Sequence, residues 1–188
     1  MNTFNETQPF KVRAFVAKPS PFKDADTADA ERALLERLDQ LPPASLLPID
    51  FARVRISSEA ARRLLRRALL RLTTGELSDR YVVLEDLGDS LYNVEVMLSG
   101  EALVAVERSE EEGPVLRGDV DQAVMDTYLY LRSVATATAS SVQDHFKLSN
   151  ISTATNRLTT LAKLALARRV EQRPVAGGGR EYVYAAVR

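Results

Sequence analysis

The chain has 188 residues, of which 45% are hydrophobic, with a formal net charge of −1 and no cysteine. This length allows one large domain or two small ones. The lack of cysteine excludes disulfides, thiolate metal sites and cysteine nucleophiles. The opening MNTFNETQPFKV lacks a basic segment followed by an apolar one, and no apolar stretch approaches the roughly 20 residues that span a bilayer. A soluble, cytoplasmic protein with no membrane partner is therefore expected.

In chain order, Lys11–Lys18 alternates and is rich in β-formers, which predicts a strand broken by Pro19 and Pro21. Residues 27–40 place Ala30, Leu34, Leu35 and Leu38 on one stripe. That spacing predicts a helix with Thr27 as N-cap, ended by Pro42 and Pro43. Leu46–Val54 reads as a strand interrupted by Pro48. Ser57 or Ser58 then caps a long helix, with alanines and leucines inward and Arg62, Arg63, Arg66 and Arg67 outward. That arginine face reads as solvated surface, or as a docking face for an acidic partner or a second DNA contact. Tyr81–Leu84 has the apolar character of a strand buried in a sheet interior. Asp89–Leu98 reads as a short helix and Ala102–Glu107 as a further strand. The alternation of strands and helices over residues 1–108 predicts an α/β domain with a mixed or parallel sheet.

Residues 109–119, SEEEGPVLRGD, combine three glutamates, two glycines and a proline. This composition predicts an acidic linker, with a domain boundary near Arg117 and a second domain over residues 120–188.

The second domain begins with a helix near Asp121–Ser133 carrying Val124, Tyr128 and Leu131 inward. A second helix follows Thr138, a good N-cap, and buries Val142 and Phe146. Leu148 plugs the turn, and Ser149 and Asn150 offer the N-cap of a third helix. In that helix Ile151, Ala154, Leu158, Leu161 and Ala165 form an inward stripe. The opposite face holds Ser152, Thr153, Thr155, Asn156, Arg157, Thr159 and Thr160. Small hydroxyls, an amide and a guanidinium are the groups that reach base edges and phosphates in a major groove. Ala167–Arg173 and Arg180–Val187 read as a hairpin with Gly177, Gly178 and Gly179 at its tip.

Charge is uneven along this near-neutral chain. Residues 145–188 hold eight Lys and Arg against Glu171 and Glu181, a net +6, so the remainder carries −7. A local basic surface suits site-specific DNA binding, in which phosphate contacts position the protein and base contacts specify.

The order of helices and hairpin, and the stretch LSNISTATNRLTTLAKLALARRV, resemble the winged helix-turn-helix transcription regulators of bacteria and archaea. A glycine commonly precedes the wing in that family, where this chain has Ala165. The resemblance implies an α+β winged-helix domain that binds double-stranded DNA, commonly as a homodimer. It places the contacts on Ser149, Asn150, Ser152, Thr153, Thr155, Asn156, Arg157 and Lys163, with Arg173 and Arg180 flanking the wing tip.

The strand Ile49-Asp50-Phe51, the pair Ser57-Ser58 at a helix start and the strand Tyr81–Leu84 are similar to those of STAS-like domains, which include anti-sigma-factor antagonists. In the antagonists a serine at this helix N-terminus accepts phosphate from a kinase. The resemblance places that role on Ser58, with Ser57 second, and Arg62 and Arg63 lie one turn away. Simple capping is the alternative. The family's acidic residue before the serines is Ile56 here, and its following glycine is Glu59. A domain for dimerisation, regulatory-partner binding or signal sensing is implied.

An enzyme is not expected, and no catalytic residue, cofactor or metal is assigned. One histidine, His145, without cysteine cannot build a histidine-rich metal site or a nucleophile pair. Glu85, Asp86 and Asp89 follow a strand, where a ligand site or a solvated loop is the choice. The whole reads as a sequence-specific DNA-binding transcription regulator. The alternative is a non-enzymatic adaptor or partner-switching protein whose winged helix docks on protein.

Overall fold

The computed structural model describes residues 4–15, 24–109, 113–175 and 178–188. The chain is of the mixed α/β class and divides into two compact units, one ending at Asp119 and the other beginning at Val120.

The first unit is built on a six-stranded sheet. Its strands are β1 (Asn5–Glu6), β2 (Phe10–Lys11), β3 (Ser45–Asp50), β4 (Arg80–Glu85), β5 (Val104–Ser109) and β6 (Gly113–Gly118). The order is β1-β3-β4-β5-β6, with β2 also pairing with β3. All neighbours are parallel except β5 and β6. The connections hold α1 (Asp24–Gln40), α2 (Ser58–Thr73) and α3 (Leu91–Gly100). α1 packs on α2 and α2 on α3, which makes one helical layer. α2 buries Ala61, Leu64, Leu65, Ala68, Leu69 and Leu72 along one stripe. Each buried leucine of that kind stabilises the fold by about 1.5–3 kcal/mol. β4 is buried from Tyr81 to Leu84, as its unbroken apolar run requires.

Several expected boundaries move, each for a tertiary reason. Lys11–Lys18 is not one strand. The chain leaves the sheet at Lys11 and turns through a 3-10 helix at Val12–Phe15, where the Phe15 ring stacks on Phe10 with centroids 5.4 Å apart; residues 16–18 lie outside the described residues. α1 starts at Asp24, so Thr27 is buried within the helix and is not its cap. Asp26, in the first turn, suits the positive end of the helix dipole. β3 stops at Asp50, not Val54, because Asp50 Oδ1 accepts from the Ala52 amide at 2.7 Å and turns the chain.

Pro48 sits within β3, opposite Val83 of β4. The Ala44 and Leu46 carbonyls accept from Asn5 and Thr7 on the β1 side. By alternation Pro48 turns its donor-less nitrogen the same way, into the gap between β1 and β2, so no ladder bond is lost.

Residues 113–118 are not part of a linker. They form β6, antiparallel to β5 and paired from Ser109–Gly113 to Val104–Gly118. Arg117 on β6 donates to Glu107 on β5 at 2.6 Å and to Glu95 on α3 at 3.1 Å. Gly118 ends the strand with φ +103° and approaches so closely that a Cβ would lie 2.2 Å from the Leu103 carbonyl oxygen. Glycine is required there.

The second unit comprises α4 (Gln122–Val134), β7 (Thr136–Ala137), α5 (Ala139–Phe146), α6 (Ile151–Lys163), β8 (Ala167–Pro174) and β9 (Arg180–Ala186). Its sheet is antiparallel, in the order β7-β9-β8. The core gathers Tyr128, Leu131, Val142, Ala154, Leu158, Leu161, Leu166 and Val183. The buried Tyr128 hydroxyl donates to the Val187 carbonyl at 2.7 Å, which ties α4 to the end of the chain. β7 was not foreseen; at two residues it has no pattern of its own.

Two residues of the expected inward stripe of α6 lie elsewhere. Ile151 is 44% exposed, as the first helical residue ahead of the packed turns. Ala165 lies beyond the helix, with φ +55°. The Leu166 amide bonds the Leu161 carbonyl at 2.9 Å and the Ala165 amide bonds Ala162 at 3.2 Å. This is a Schellman end with alanine where glycine is usual.

Candidate nucleic-acid interface

The candidate surface starts from three capped helices. Asp121 accepts from the Ala123 amide at the start of α4. Thr138 and Ser141 form a capping box on α5. Asn150 caps α6. Between α5 and α6 the chain turns in four residues. Lys147 adopts the left-handed conformation, and Gln143 and Leu148 bond each other, main chain to main chain at 3.0 Å and side chain to main chain at 3.2 Å. Ile151 and Ser152, at the start of α6, are exposed.

On α6, Ala154, Leu158 and Leu161 are buried, and Ser152, Asn156 and Lys163 are exposed on the other side. The last three stand at i, i+4 and i+11, so they form one polar stripe. Ser149, Asn150 and Thr155 are exposed, and Thr153 and Arg157 half-buried.

The structure separates these groups by what they already bind. Asn150 Oδ1 accepts from the Thr153 amide, the Thr153 hydroxyl and the Ser152 hydroxyl at 2.9, 2.9 and 2.6 Å. Thr155 Oγ1 donates to the Ile151 carbonyl at 3.0 Å. The hydroxyl protons of Ser152, Thr153 and Thr155 are therefore engaged within the helix. The Asn156 side-chain amide makes no hydrogen bond among the described residues. The Arg157 guanidinium lies over the Phe146 ring, 5.3 Å from its centroid, which stiffens a long cationic side chain at the α5–α6 junction.

Phe146 is half-buried, not fully inside, because the rings it packs against edge-on, Tyr130 and His145, are themselves half-buried and exposed. His145 is exposed and stacks on Tyr130, with centroids 4.0 Å apart.

The hairpin supplies further cations. Arg173 and Arg180 are exposed at its far end, and Arg173 pairs with Glu171; Gly177, expected at the tip, lies outside the described residues. Glu181 does not face the same solvent. Its carboxylate accepts from the Ser140 amide and hydroxyl at 3.3 and 3.0 Å, at the positive N-terminus of α5.

Sequence reasoning missed Arg169. It lies 4.8 Å from the Tyr182 ring and 5.9 Å from the Tyr184 ring. Arg169 and Tyr184 are cross-strand partners in β8 and β9, so the contact depends on a register that sequence spacing does not reveal.

In the first unit, Ser57 is the cap of α2, and its hydroxyl accepts from the Ala60 amide at 3.2 Å. Ser58 is the first helical residue. Glu59 holds Arg62 at 2.9 and 3.0 Å and Arg63 at 3.1 Å. The arginines that would receive a phosphate on Ser58 are thus already paired to a carboxylate. Glu85, at the end of β4, bonds Arg108 at 2.7 Å, and Arg108 also reaches Glu6 at 2.8 Å. Burial raises the Glu85 carboxyl above its usual range against the pull of Arg108, while Glu6 and Asp50 push it the same way as burial.

No helix among the described residues is long and apolar enough to cross a membrane. Comparisons with protein-family models, curated proteins and solved structures find no match to this chain.

Proposed function

We propose that the protein is a sequence-specific, double-stranded DNA-binding transcription regulator. In this reading the unit from Val120 is a winged helix-turn-helix domain with α6 as recognition helix and β8–β9 as wing. The first unit is a STAS-like domain used for dimerisation, partner binding or sensing. The observation that carries the proposal is the exposed stripe of Ser152, Asn156 and Lys163 on α6, in the same unit as Arg169, Arg173 and Arg180 on the hairpin. The helix order and the four-residue turn between α5 and α6 support it, since that turn presents the N-terminal half of the third helix for groove entry.

Asn156 is the base-reading candidate, because an amide makes a bidentate pair with adenine. Arg157 and Lys163 supply donors for phosphate or guanine. Asn150, Ser152 and Thr153 act first as the cap, which takes the Thr153 amide and leaves the amides ahead of it for a phosphate.

The test is fluorescence anisotropy of the full chain on duplex from upstream of its own gene, beside a scrambled duplex, across a salt series. Cognate binding tighter by about a thousandfold or more would support a regulator. Equal, weak and steeply salt-dependent binding to both would reduce the role to phosphate attraction. No binding to either would overturn the proposal.

A further inference from the structure

The arginine face of α2 is solvated and lines a shallow, open groove. A groove of about 560 Å³ runs beside α2, lined by Arg62, Arg63, Arg66, Arg67 and Leu70 and bordered by Glu31 and Glu59. The two-wide arginine stripe follows from spacings of one and four residues on a helix. We propose that this groove binds an acidic peptide segment that also carries apolar side chains.

Three observations favour that occupant. The arginines are held in place by carboxylates: Glu59, itself 48% exposed, pairs with Arg62 and Arg63, and the half-buried Glu101 pairs with Arg66 at 2.6 Å. Side chains in these pairs are 45–49% exposed on the arginine side. The Glu59 pairs, exposed on both sides, contribute little and exchange for an incoming carboxylate at small cost, while Glu101 keeps Arg66 in position.

The lining is also of mixed kind. Leu70 offers aliphatic surface beside the cations, and Glu31 and Glu59 offer negative charge at the border. A peptide can alternate acidic and apolar side chains to match such a surface. A nucleic-acid backbone carries an unbroken row of phosphates, which those glutamates repel.

The wider field points the same way. Residues 1–119 hold 16 Lys and Arg against 21 Asp and Glu, a net −5. A polyanion is attracted over a distance by summed charge, and this part of the chain repels it. A short peptide senses the local arginines within about a Debye length of 8–10 Å.

The test uses the full-length protein and a fluorescein-labelled peptide of repeating Glu-Glu-Leu-Ala units, with a Gln-Gln-Leu-Ala counterpart. The acidic peptide is expected to bind and the neutral one not. R63E/R67E is expected to weaken the acidic peptide by about tenfold or more. R157A/R173A, in the second unit, is expected to leave peptide binding unchanged. Circular dichroism checks that each variant is folded, and R63Q/R67Q replaces the reversal if it is not.

Equal binding by wild type and the α2 variants would overturn the proposal. So would loss of binding only in R157A/R173A, which would place the peptide on the basic second unit. A labelled single-stranded oligonucleotide that loses affinity in R63E/R67E, with the peptide unaffected, would assign the groove to nucleic acid instead.

Discussion

Asn150 Oδ1 accepts hydrogen bonds from both the amide and the hydroxyl of Thr153, each at 2.9 Å. The residue is thus a helix cap before it is a nucleic-acid contact. Asn150→Ala is expected to cost about 1 kcal/mol of stability. Asn156→Ala, on the exposed stripe, is expected to stay within about 0.5 kcal/mol in stability and to lose about 1–3 kcal/mol of specific duplex binding. Urea unfolding beside anisotropy separates the two. An Asn156→Ala variant that discriminates cognate from scrambled duplex as well as wild type would remove Asn156 as a reader.

Ala165 holds φ +55° at the end of α6, where an L side chain is strained and glycine is not. Ala165→Gly is expected to stabilise the second unit by about 1 kcal/mol, part of the strain relief being offset by the greater freedom of glycine in the unfolded chain. A lower midpoint in thermal or urea unfolding would show that the strain is relieved elsewhere.

The buried Ser90 hydroxyl donates to the Val54 carbonyl at 2.7 Å and accepts from the Ile56 amide at 3.2 Å. One side chain therefore pins the loop after β3 to the turn before α3. Ser90→Ala leaves a buried donor and acceptor unsatisfied and is expected to cost about 1–3 kcal/mol. Amide hydrogen exchange should show the gain in opening concentrated at Val54–Ile56. Protection there equal to that of wild type would contradict the pinning role.

Burial holds Glu85 above its ordinary carboxylate range of about 4.5. A carboxyl raised in the folded state binds its proton more tightly there. It favours folding while protonated and loses that advantage as pH rises through the folded value. Wild type is therefore expected to lose stability relative to Glu85→Gln as pH climbs from about 4.5 toward neutrality. Asp39 and Glu59, held low by Arg71 and Arg62, act in the opposite sense. They are common to both proteins and cancel in the difference. A stability difference constant over that window would refute the raised carboxyl.

The sequence by itself determined what is local. Stripes of apolar residues at helical spacing placed α2, α4, α5 and most of α6, because a helix satisfies its own hydrogen bonds within four residues. Caps at Thr138 and at Ser149-Asn150 were legible for the same reason. The apolar run Tyr81–Leu84 announced a strand buried on both faces. The polar face of α6, and with it Asn156, Arg157 and Lys163, followed from the same periodicity.

Only the tertiary structure decided what depends on a distant partner. Residues 113–118 lack alternation and sit beside a run of glutamates, so nothing in them signals a strand. Pairing with β5, and the close approach of Gly118 to Leu103, make them one. Pro48 is tolerated in a strand interior only because β1 and β2 leave a gap opposite it. Arg169 meets its tyrosines across a β-ladder, and the arginines of α2 line an open groove that Glu31 of α1 borders. A strand or a groove takes its energy from groups far along the chain, and residue spacing carries no record of them.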